Sequence, residues 1–106
     1  FVGEQTYWQR RREALTRLDP TAYCALMDTL RRHDSVAHRL GGISCPTTVL
    51  VGEHDAPFLA PARLMAEAIP GARLVTIAAA EHSPQIENAT AWREAVRAHL
   101  LRSEGT

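Results

Sequence analysis

The run Thr47-Thr48-Val49-Leu50-Val51-Gly52 most tightly constrains what this chain folds into. It is short, rich in β-branched and apolar residues, and bounded by Pro46 and Gly52, which is the composition of a strand. Its apolar character is nearly continuous rather than alternating, so the pattern predicts a strand covered on both faces. From Pro61 to Ile69, Leu64, Met65, Ala68 and Ile69 share one helical face, and Pro70-Gly71 ends the pattern. Arg73 to Ile77 is the next strand candidate. Strand, helix, strand implies two parallel strands joined by a right-handed crossover. Two strands alone do not make a doubly covered sheet, because each edge needs a neighbour and an isolated pair is marginal in water. A partner chain or a segment outside these residues is therefore expected to complete it, and pairing of two copies as a homodimer is one such assembly.

The flanking segments read as helices. Tyr7, Trp8, Leu15 and Leu18 fall at roughly helical spacing between Thr6 and Leu18, predicting an amphipathic helix whose solvated face holds Arg10, Arg11 and Arg12. Asp19-Pro20 supplies an N-cap and a first-turn proline for a second helix running to about Arg32, with Tyr23, Leu26, Met27 and Leu30 on one side. Trp8, Tyr23 and Met27 are expected to pack as core. Residues 33–40 are short and mixed, and Gly41-Gly42 is expected to stop them in the left-handed conformation of a helix end. Near the carboxyl terminus Asn88 caps a helix that carries Ala89, Trp92, Val96 and Leu100 near one face, with Glu87 expected to serve the same helix start. Residues 1–42 thus form a helical segment and residues 43–106 an α/β segment.

Composition excludes several function classes. With 45 % apolar and 23 % charged residues the chain is packing-competent rather than disordered or fibrous. Its 12 basic and 12 acidic residues cancel, which removes the electrostatic case for nucleic acid or an anionic membrane surface. Cys24 and Cys45 are too few for a disulfide scaffold and lack zinc-site spacing, so they are expected as buried thiols of a cytoplasmic protein. No apolar stretch reaches the ~18 residues of a membrane span, and the amino terminus lacks the apolar core of a secretion signal. Nucleotide binding is disfavoured because no glycine-rich phosphate loop joins a strand to a helix.

Reactive groups of open parallel sheets gather beyond the carboxyl ends of the strands. Asp55 lies there after the first strand, in Val51-Gly52-Glu53-His54-Asp55, and His82 after the second, in Ile77-Ala78-Ala79-Ala80-Glu81-His82. Adjacent parallel strands bring the two loops within reach of a carboxylate to imidazole hydrogen bond, which fixes the tautomer of the ring and leaves its other nitrogen to accept a proton. Taken singly, the aspartate reads as a turn former and the histidine as a solvated loop residue.

Taken together they sit in a recognisable order. Ile43-Ser44-Cys45-Pro46, the first strand, Gly52-Glu53-His54-Asp55, Ile69-Pro70-Gly71-Ala72, the second strand and His82-Ser83-Pro84-Gln85-Ile86-Glu87-Asn88 follow one another, and the segment from Ile43 to Leu100 resembles the C-terminal part of the α/β-hydrolase fold. The resemblance implies an α/β architecture in which residues 43–106 are the C-terminal portion of a parallel hydrolase sheet, two strands with flanking helices. It implies that residues 1–42 resemble the end of the helical lid inserted into many such enzymes. Asp55 takes the role of triad acid and His82 of triad base, while His54 and Phe58 are candidates for touching a small-molecule substrate. Two positions depart from the family pattern. Glu81 stands where glycine usually precedes the histidine, and the nucleophile elbow Gly-x-Ser-x-Gly is absent, its expected place being before Phe1. Ser83 has no elbow to present it, and Cys45 lies at the opposite end of the first strand, so neither is expected to substitute. The implied activity is serine-type hydrolysis of an ester-like small molecule in the complete protein, without metal or cofactor, the missing N-terminal half of the fold supplying nucleophile and oxyanion hole. The alternative is a non-catalytic chain serving as a binding or assembly module.

Overall fold

The computed structural model describes residues 3–105, which separate into a unit ending at Ser35 and a unit beginning at Val36. The first unit is two helices, α1 (Glu4–Thr16) and α2 (Pro20–Arg32). The Asp19 carboxylate accepts from the Thr21 amide at 3.0 Å, so α2 starts at the aspartate and proline that predicted it. The expectation of core packing fails here, since neither helix has a buried residue. Tyr23 and Leu30 are exposed, Met27 is half-buried, and the half-buried Trp8 donates from Nε1 to Glu4 at 3.4 Å and meets Tyr7 edge-on, both within its own helix. A stripe of this kind needs a second surface to bury it, and two short helices do not supply one.

The second unit opens with a 3-10 turn, Ala37–Gly42, followed by β1 (Thr48–Gly52), α3 (Ala56–Ala68), β2 (Arg73–Ile77), α4 (Pro84–Glu87) and α5 (Ala89–Glu104). Gly41 and Gly42 do not take the expected left-handed conformation. They belong to the 3-10 turn, which closes when the Ile43 amide donates to the Leu40 carbonyl. The two strands pair in parallel, from Thr48 opposite Arg73 to Gly52 opposite Ile77, as the crossover requires. Val49 and Val51 turn one face of β1 against Ala62, Leu59 and Ala66 of α3. On the other face Thr48 bonds His99 and Arg102 of α5, at 2.8 and 2.7 Å. The sheet thus has a helix on each face. The architecture is α/β with a two-stranded parallel sheet, and no further strand lies among the described residues.

α3 begins five residues earlier than its periodicity suggests, directly after Asp55. Pro57 occupies its first turn, where an amide is not needed, and Pro61 sits inside the helix at the cost of one backbone bond. The helix leaves through Ile69-Pro70-Gly71-Ala72, a tight turn in which Ala72 donates to Ile69 at 3.1 Å and Gly71 holds a φ of 71° that a side chain would resist. That turn returns the chain to the start of β2. Both thiols are exposed rather than buried, because Cys24 lies on the uncovered α2 and Cys45 precedes β1 outside the core. Among the described residues no helix is long and apolar enough to cross a membrane.

Candidate active site

The parallel register sets the ends of β1 and β2 side by side, and the loops leaving them interlock. Glu53 donates its amide to Ile77 at 2.9 Å and His54 donates its amide to Ala80 at 2.8 Å, so the ladder continues past the last strand residues. The fit is close at Gly52. A Cβ there would lie 2.5 Å from the Ala80 carbonyl oxygen and closer still to that of Glu81, contacts that side chains do not make. Glycine at 52 is therefore what lets the His82 loop cross the end of β1.

This crossing brings Asp55 and His82 together. Nδ1 of His82 donates to Oδ2 of Asp55 at 2.8 Å. Asp55 occupies the N-cap position of α3, yet its side chain makes no capping bond and turns to the imidazole instead. The two groups differ sharply in exposure, with 11 % of the Asp55 side chain accessible against 67 % for His82. The acceptor is therefore sheltered while the ring faces outward, and Nε2 has no hydrogen-bond partner among the described residues. Phe58, in the first turn of α3, lies against the ring with centroids 4.7 Å apart and planes inclined by 35°. A carboxylate on Nδ1 holds the proton on that nitrogen, leaving Nε2 a lone pair directed at solvent. An imidazole held in this way by a carboxylate has the chemistry to accept a proton at its second nitrogen.

Of the remaining sequence candidates, Phe58 touches His82, and the exposed His54 ring lies with Nε2 3.6 Å from the Glu53 carboxylate. Glu81 is exposed and forms no ion pair among the described residues. Ser83 is buried at the N-cap of α4. No group of three metal-ligating side chains converges among the described residues.

Sequence reasoning missed the side chains that hold the histidine loop. Glu53 accepts from the Ala79 amide at 2.9 Å, where Ala79 adopts a φ of 55°, and Asn88 donates to the Ala78 carbonyl at 2.8 Å. Glu87 was expected at the start of α5 but reaches backward across α4, accepting from Ser83 at 2.8 Å and from Glu81 at 3.2 Å. The available signal was Ser83-Pro84-Gln85-Ile86-Glu87, a capping-box pattern lengthened by one residue. Comparison of the chain with protein-family models, with curated proteins and with solved structures yields no match.

Proposed function

We propose that this chain supplies the acid and base of a serine-type hydrolase acting on an ester-like small molecule, as the C-terminal part of an α/β-hydrolase fold. The nucleophile and oxyanion hole come from polypeptide outside residues 1–106. The observation that carries this reading is the 2.8 Å bond from His82 Nδ1 to Asp55, with the ring largely exposed and Nε2 unbonded among the described residues. The motif order from Ile43 to Leu100 supports it, and so does the capping bond that Asp55 leaves unmade.

In the proposed reaction a serine hydroxyl adds to the ester carbonyl while Nε2 of His82 takes its proton. Asp55 stabilises the imidazolium that results and keeps the ring in the productive orientation. The tetrahedral adduct then collapses and expels the alcohol, which receives the proton from Nε2. Water then adds to the acyl carbonyl as Nε2 takes its proton, and the second adduct collapses with Nε2 returning that proton to the serine oxygen, which releases the acid and restores the serine. Each step uses one proton carrier and no external redox partner.

The test is expression of the longest open reading frame that contains these residues, assayed on a p-nitrophenyl ester. His82→Ala is expected to reduce kcat/KM by on the order of a thousandfold or more while the protein stays folded. Equal turnover in the variant and the parent would remove His82 from the chemistry.

A further inference from the structure

We infer that Glu87 is a positioning residue for His82, an inference that rests on the proposed triad. His82 lies in a loop of residues 78–83 that has no regular secondary structure of its own. Its imidazole is largely exposed, so packing on the ring, which meets Phe58 on one side, does little to fix the backbone beneath it. The backbone is fixed instead by the Glu87 carboxylate, one oxygen of which accepts from Ser83 and the other from Glu81. These are the two residues on either side of His82. Because α4 is a single short turn, its last residue stands directly over the loop that precedes it. A carboxylate bridging two amides is charge-assisted at both contacts, and the geometry leaves the intervening residue little freedom to rotate.

The rest of the loop is held from other directions, Ala78 by Asn88, Ala79 by Glu53 and Ala80 by the His54 amide. Glu87 grips both neighbours of the histidine. Removing its side chain leaves the far end of the loop anchored and the Ser83 carbonyl still held by the Ile86 and Glu87 amides, and it withdraws the shared acceptor from the two amides that flank the imidazole. The role is thus orientation of the base, with no contact to substrate required.

Nuclear magnetic resonance of the 106-residue chain tests this directly. The wild-type chain is expected to show the His82 Nδ1 proton as a downfield, slowly exchanging resonance, assigned by its loss in His82→Ala. In Glu87→Ala its exchange is expected to quicken about tenfold or more, the factor for losing a charge-assisted hydrogen bond, while the amide resonances of α3 and α5 hold their positions. Glu87→Gln keeps one oxygen acceptor and is expected to fall between the two. Should Glu87→Ala not fold, the same intermediate exchange in Glu87→Gln carries the test. Wild-type exchange in whichever variant folds overturns the inference and leaves the triad standing. A wild-type chain whose α3 and α5 amide resonances are dispersed as in a folded protein but that lacks this resonance sinks the triad reading, and this inference with it.

Discussion

At the scale of single residues, the site depends on what is missing as much as on what is present. Gly52 was legible as the end of a strand, but the reason for glycine was not, because the carbonyls it must clear belong to residues almost thirty positions away. Gly52→Ala is expected to destabilise the chain by about 1–3 kcal/mol, the cost of forcing an extra carbon into a filled space. It should also displace the His82 loop and weaken the Asp55 bond. Urea unfolding measures the first effect and the His82 Nδ1 resonance the second; a variant as stable as its parent would show that the loop has room to move. Asp55 and His82 were readable because both their residue types and their positions after strands carried information. Ala79 was not, since nothing about an alanine between two alanines announces a left-handed backbone stabilised by a glutamate 26 residues earlier.

The elements were legible where a local signal agreed with the tertiary environment. β2 occupies the residues its composition indicated, and α2 and α5 start at Asp19 and Asn88, the capping residues that predicted them. α3 differed because two prolines competed to mark its start and the periodicity alone favoured the later one. α4 escaped notice since four residues hold too little pattern to register. Asn88 shows how one side chain serves two elements at once, accepting from Ala91 at 3.3 Å to cap α5 and donating to Ala78 at 2.8 Å to tie the histidine loop. The two roles need opposite chemistry, so they separate experimentally. Asn88→Ala is expected to cost about 2 kcal/mol, roughly one for the cap and one for the loop bond. Asn88→Asp keeps the acceptor and loses the donor, so it should recover about half of that loss in a urea titration. Equal stability for the two variants would mean that the cap contributes nothing.

At the scale of the whole molecule, each unit leaves apolar surface uncovered. Leu26 and Leu30 stand open on α2, and Leu64, Met65 and Leu101 on the helices that flank the sheet. Among the described residues the sheet has an unpaired edge on each strand, and β1 is the more deeply buried of the two, with Val49, Val51 and Gly52 all sheltered. In the proposed reading the remainder of the sheet joins along β1. Backbone alternation makes this testable residue by residue. Arg73 donates to the Thr47 carbonyl and Glu53 donates to Ile77, so the amides of Val49 and Val51 face β2 while those of Thr48 and Leu50 face the open edge. In the chain alone, hydrogen exchange at Leu50 is expected to be much faster than at Val49 and Val51, although its side chain is half-buried. In the proposed longer protein, Leu50 should become as protected as its neighbours, whereas Val49 and Val51 should change little. Slow exchange at Leu50 in a demonstrably monomeric 106-residue chain would show that this edge is not where the sheet continues. Strand identity and strand pairing were written in local composition; the partner of an edge is written in residues the edge does not contain, and its signature is an amide that waits for an acceptor.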